Sequence, residues 1–176
     1  MNPLVDPIDA SAPIGGPLFS ICTLVTRHPE YRAMVESFIH RGFSAENAEF
    51  LYLDNAGGHR WDAFRGIRRF LSLARGNYII ICHQDIRLLG DDVAVLRERL
   101  SALDALDADW VLAGNAGATE DGSLVARISD PHGDDQLRGP LPARVVSLDE
   151  NFIIIRRDAM VSVSSCLLYT SPSPRD

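Results

Sequence analysis

Lysine is missing altogether: all 17 basic side chains in the 176 residues are arginine. That rules out a Walker-type phosphate lysine and any lysine Schiff base, two large routes to enzymatic chemistry. Cysteine is scarce, with Cys22, Cys82 and Cys166 far apart and the first two inside apolar runs. Such spacing indicates neither a zinc knuckle nor a disulfide framework and suits a reducing cytoplasm. There is no apolar run of about eighteen residues, the length a membrane-crossing helix needs. The amino end has no charged region followed by a hydrophobic stretch, so a signal peptide is not indicated. Contact with a membrane surface is left open. Net positive charge is also absent: the formal charge is −7. A nonspecific grip on nucleic acid through a basic surface is therefore not expected, and an anionic substrate would need a local cation.

What is present, 46% hydrophobic and 23% charged residues, fits one globular domain. Residues 1–17 carry Pro and Gly without apolar periodicity and read as a loose lead-in; the domain is expected over 18–160. Phe19 to Val25 is strand-like, and Met34, Val35, Phe38 and Ile39 then recur at helical spacing. Phe50 to Leu53 reads as a second strand, running into Asp54-Asn55-Ala56-Gly57-Gly58, whose residue types favour a tight turn. Trp61, Phe64, Ile67, Phe70, Leu71 and Ala74 share one helical face, with Gly76 expected as the C-cap. A helix is expected to begin at Asp91 or Asp92 and run through Val95, Leu96, Leu100 and Leu103. Trp110 to Ala113 is expected as a further buried strand. Residues 119–142 form a polar insert around a short Leu124 to Ile128 strand. Two strand-like runs, Arg144 to Leu148 and Phe152 to Ile155, bracket Asp149-Glu150-Asn151. The alternation of strands and helices implies an α/β fold, a mostly parallel sheet with helices on both faces.

The most informative stretch is Tyr78 to Ile86. An apolar run of β-branched residues, fit for a strand buried on both faces, stops at His83-Gln84-Asp85. In an open α/β sheet ligands sit outside the carboxyl ends of the strands. Thr26, Asp54 and Asn55, His83 to Asp85, and Gly114-Asn115 are thus expected to share one edge. Asp85 there serves either as a turn cap or as a ligand to a cation.

Taken together, Leu53-Asp54-Asn55, Ala74 to Ile86 with its His-Gln-Asp, and Leu148-Asp149-Glu150-Asn151 through Asp158 resemble the inverting family 2 glycosyltransferases of GT-A fold. The likeness is to the branch with His-Gln-Asp where relatives carry Asp-x-Asp, and it covers roughly Phe19 to Asp158. It implies transfer of a sugar from a nucleotide-sugar donor to a glycan or lipid-linked acceptor. Asp85 would hold Mg²⁺ or Mn²⁺; Thr26, Asp54, Asn55, His83 and Gln84 would border the nucleotide; Asp149 or Glu150 would act as base. It further implies a cytoplasmic enzyme of polysaccharide biosynthesis, peripheral to the inner membrane, with no nucleic-acid partner. A noncatalytic nucleotide-binding module or inactive fragment, and a nucleotidyltransferase, are the competing readings. Residues 161–176 are Ser-rich and resemble translated adapter sequence, so the domain is expected to be truncated at its C-terminal side, near Met160.

Overall fold

A computed structural model describes residues 16–129, 135–159, 161 and 163. The lead-in up to residue 15, Cys166 and nearly all of the expected tail lie outside these residues.

Strand β1 (Phe19–Val25) is the axis of the fold. Its side chains alternate across the sheet: Phe19, Ile21 and Val25 point to one side, Cys22 and Leu24 to the other. Phe19, Ile21, Cys22 and Val25 are all at most 1% exposed. Full burial of apolar side chains of Val or Phe size contributes about 1.5–3 kcal/mol each. On the first side lies α1 (His28–His40), which buries Tyr31, Met34, Val35 and Phe38, an i, i+3, i+4, i+7 stripe. Pro29 opens its first turn, where a missing N–H costs nothing. The chain leaves α1 through Gly42, whose φ of +86° would strain any other residue.

Strand β2 (Ala48–Asp54) pairs in parallel with β1, and so does β3 (Tyr78–Cys82) on β1's other side. Between them α2 (Ala63–Leu73) crosses the opposite face, N-capped by Asp62, whose Oδ1 accepts from the Arg65 amide at 2.8 Å. Its Phe70 packs with Cys22, Ala74, Ile79 and Ile155 in a second core cluster. Helix α3 (Val93–Leu106) returns to the α1 side, capped by Asp92 and burying Leu100 beside Trp110. Helices on both faces, expected from the alternation of strands and helices, are therefore present.

The expected run of parallel strands is present, interrupted by one reversed strand. The order is β2-β1-β3-β9-β4, and β9 (Phe152–Arg156) is antiparallel to both β3 and β4 (Leu112–Gly114). The sheet is mixed. The buried strand expected over Trp110 to Ala113 is found only in part: Trp110 is buried, but the strand is Leu112–Gly114, at the sheet edge, with Val111 38% and Leu112 47% exposed. Because β4 is antiparallel to β9, its Gly114 end still reaches the same edge as the ends of β1, β2 and β3. Nor does Gly76 cap α2. Ala74 ends the helix, and Gly76 instead lies so close to β1 that an added Cβ would sit 2.5 Å from the Ser20 nitrogen.

A second, wholly antiparallel sheet follows, in the order β7-β6-β5-β8. Its strands are β5 (Ala116–Ala118), β6 (Leu124–Ile128), β7 (Gln136–Arg138) and β8 (Ser147–Leu148). Of the strand expected over Arg144 to Leu148, only the last two residues pair. A single 3₁₀ turn at Arg157–Ala159 closes the main sheet, and Val161, counted with the tail, packs against the second core cluster.

Candidate functional site

The carboxyl ends of β1, β2 and β3 meet at one edge because the three strands are parallel and in register: Val25 pairs with Asp54, and Cys22 with Ile81. The turn between β8 and β9 joins them, since the His83 amide donates to the Asn151 carbonyl at 3.1 Å. Between this edge and α2 opens a cleft of 320 Å³. Its floor is apolar, with Leu24, Ile81 and Ile153 from the sheet and Ile67 from α2; its rim carries Thr26, His83, Gln84, Asp85 and Glu150. An apolar floor under a few converging polar groups is the usual form of a small-molecule site.

Within the rim the residues differ in what they can still do. Gln84 is engaged on all sides that matter: its Oε1 accepts from the amides of Thr26 (2.9 Å) and Arg27 (2.8 Å), and its Nε2 donates to Thr26 Oγ1 at 2.8 Å. It ties the end of β3 to the end of β1. Asn55, at the end of β2 but outside the cleft lining, is engaged as well, donating to the Trp61 carbonyl at 2.8 Å and accepting from its amide at 3.0 Å, which closes the loop ahead of α2. Asp85 stays available, its side chain 53% exposed and Oδ2 3.7 Å from an Arg27 guanidinium nitrogen.

Asp54 accepts at Oδ1 from the Ala56 amide at 2.8 Å and lies 3.4 Å from His28 Nε2. The Ala56 amide, and after it the charge of His28, hold its carboxyl below the ordinary aspartate value against an opposing cost of desolvation. His28 escaped the sequence reading: its partner is 26 positions away, and no local spacing marks such a pair.

Asp149 and Glu150, adjacent in sequence, part company. Asp149 Oδ1 accepts from the Asn151 amide at 2.9 Å, the ordinary geometry of a turn, and the residue lines a different hollow of 330 Å³ against the second sheet. Glu150 lines the cleft instead, its Oε1 3.9 Å from His83 Nε2. Only Glu150 of the two borders the hollow that Asp85 borders.

The two described cysteines take no part in this chemistry. Both are free and buried; burial pushes the Cys82 thiol up to about 12 and raises Cys22 as well, so neither supplies thiolate at neutral pH. Among the described residues no group of three or more His, Cys, Asp or Glu converges as a metal cage. A single half-exposed carboxylate fits a cation that keeps most of its shell as ligand oxygens and water, as magnesium does. None of the helices formed by the described residues is long and apolar enough to cross a membrane.

No protein-family model matches the chain. It is 38% identical over 146 residues to a protein of Fuscovulum blasticum described as ATP synthase subunits region ORF 6. The match takes in 80% of this chain and 59% of that protein, so the chain spans about three-fifths of the relative's length.

Proposed function

We propose that this chain carries the donor site of a glycosyltransferase of GT-A type, acting on a nucleotide-sugar and transferring the sugar with inversion to a glycan or lipid-linked acceptor. The observation that carries the reading is the shared cleft: Asp85 from the end of β3 and Glu150 from the β8–β9 turn border one hollow over an apolar floor. A site for this reaction needs these two functions, a place for the diphosphate charge and a base for the incoming hydroxyl.

Asp85 is the residue that would hold Mg²⁺ or Mn²⁺; when bound, such a cation offsets the charge that develops on the departing diphosphate. Asp54, kept ionised by the Ala56 amide and His28, is suited to accept from a nucleobase N–H. Thr26 and His83 border the nucleotide between them, while Asn55 and Gln84 hold the loops on which it rests. Glu150 accepts the proton of the acceptor hydroxyl as the new bond to the anomeric carbon forms and the bond to the phosphate oxygen breaks. On this reading the protein works in the cytoplasm beside the membrane that carries its acceptor.

Thermal melting in UDP, GDP or TDP with Mn²⁺ tests the donor site, because a ligand that binds only the native state raises the transition in proportion to its affinity. One of the three is expected to raise the midpoint in the wild type, and Asp85→Ala to abolish the Mn²⁺-dependent part of the rise while leaving the ligand-free transition in place. Three unmoved midpoints sink the reading.

A further inference from the structure

The cleft has an electrostatic problem. Its lining includes two carboxylates, Asp85 and Glu150, and no arginine, in a chain of net charge −7. A diphosphate brought there meets like charge unless a cation lies within reach. Four exposed arginines follow β2, at 60, 65, 68 and 69, yet none approaches Asp85 within ion-pair distance. The guanidinium that does is that of Arg27, the first residue beyond Thr26 and 61% exposed.

Three features set Arg27 apart from a surface arginine. Its backbone is held: the Arg27 amide donates to Gln84 Oε1 at 2.8 Å, beside the Thr26 amide on the same oxygen. Its head lies between two carboxylates, 2.8 Å from Glu30 Oε2 and 3.7 Å from Asp85 Oδ2. The grip on Asp85 is the loose one. An ion pair as open as that one is weak. A planar fork of donors held weakly beside an acidic rim is free to change partners, and phosphate oxygens match that fork bidentately.

We infer that Arg27 is the residue that grips the diphosphate at this edge, and that Gln84 is the positioning residue that aims it. Glu30, 2.8 Å from Arg27 Nε, keeps the guanidinium at this edge, with Asp85 beside it at 3.7 Å. When the diphosphate arrives Arg27 exchanges the Asp85 carboxylate for phosphate oxygens, which leaves Asp85 free for a cation. Gln84, the middle residue of the His-Gln-Asp triplet, then has its own reason to be an amide: its oxygen takes two backbone N–H groups while its NH₂ takes the Thr26 hydroxyl, a combination that neither glutamate nor leucine reproduces. The inference rests on the donor-site reading above and names the group within it that binds the phosphates.

Calorimetric titration of the chain with UDP, GDP and TDP, each beside its uncharged nucleoside and in EDTA as well as Mn²⁺, tests it. The wild type is expected to bind one diphosphate at least tenfold more tightly than the matching nucleoside. Arg27→Gln should lose that preference in both media while nucleoside affinity stays put, and Arg27→Lys should recover part of it. Gln84→Leu should reduce the preference in the same direction; if that variant does not fold, Gln84→Asn, which keeps an uncharged amide group but sets it one methylene short, should show a smaller loss. A merely structural role for Gln84 would lower nucleoside and diphosphate binding alike and overturn its assignment. Undiminished diphosphate preference in Arg27→Gln overturns the inference while the donor site stands. A wild type that binds no diphosphate removes both.

Discussion

Asp54 shows how a single side chain combines two roles. Its Oδ1 is occupied by the Ala56 amide, so the turn is capped, while Oδ2 faces His28 at 3.4 Å. Because its folded-state pKa lies below the unfolded value near 3.9, ionised Asp54 favours the fold at pH above that value, and the contribution fades as pH falls through the lower, folded value. Carboxyl-carbon NMR should find Asp54 titrating below an ordinary aspartate. In His28→Ala the value should rise but stay depressed, since the Ala56 amide is the larger cause; a return to the ordinary value would give His28 the whole effect. Glu49, at the opposite end of the strands, is a purely structural counterpart. Its side chain, 10% exposed, accepts from Ser20 Oγ at 2.6 Å, from the Arg75 amide at 2.7 Å and from Arg75 Nε at 2.8 Å. Glu49→Ala should lower the unfolding free energy in urea by about 2–4 kcal/mol, because two donors and a half-buried guanidinium lose their acceptor together. Loss of less than about 1 kcal/mol would mean that water replaces the carboxylate freely.

Among the elements, a glycine inside α2, Gly66, and one beyond its end, Gly76, separate a packing constraint from a helix preference. A Cβ on Gly76 would lie 2.5 Å from the Ser20 nitrogen and 2.6 Å from the Phe19 carbonyl carbon, backbone atoms that cannot turn aside. On Gly66 it would lie 2.8 Å from Leu24 Cδ2, the tip of a flexible side chain at the cleft floor. Gly76→Ala should therefore cost about 3 kcal/mol or fail to fold, whereas in Gly66→Ala a helix gain of about 1 kcal/mol offsets the crowding. Equal melting temperatures for the two variants would refute the contrast. Strands β1 and β3 were legible because Phe19 to Val25 and Tyr78 to Cys82 are apolar runs that stop at polar residues. The direction of β9 was not: Ile153, Ile154 and Ile155 bury both faces whichever way the strand runs, and by taking the place next to β3 they push Leu112–Gly114 to the edge. The site divides in the same way. Asp85 and Asp54 announce themselves as charges at strand ends, whereas Gln84 acquires its role from Thr26, 58 positions away, and Asp149 and Glu150 differ only in which hollow the turn presents them to.

At the scale of the whole molecule the two sheets are unequal in what holds them. Both core clusters draw on β1, β3 and β9, the first with α1 and α3 and the second with α2, and neither takes a residue from β5, β6, β7 or β8. The second sheet buries Val125 and Ala126 and leaves Leu124 56% and Leu137 68% exposed, with Val146 just ahead of β8 at 71%. Strands of two to five residues with so little apolar burial keep their ladder chiefly through backbone hydrogen bonds, which contribute little net stability where water competes. Native-state hydrogen exchange should therefore resolve two levels. Amides of β1 and β3 should exchange only through global unfolding, while those of β5 and β6 open several kcal/mol more easily and as a group, as units with sparse burial do. The β8–β9 turn belongs partly to each: the Asp149 amide donates to Ala116 in the second sheet, and the Asn151 carbonyl accepts from His83 in the first. Glu150 stands between those two bonds, so opening of the second sheet should displace the proposed base while leaving Asp85, Gln84 and Arg27 in place. Exchange protection at Asp149 tracking β5, with protection at His83 tracking β3, would confirm that the two halves of the cleft move separately; a single common opening energy would join them into one rigid site.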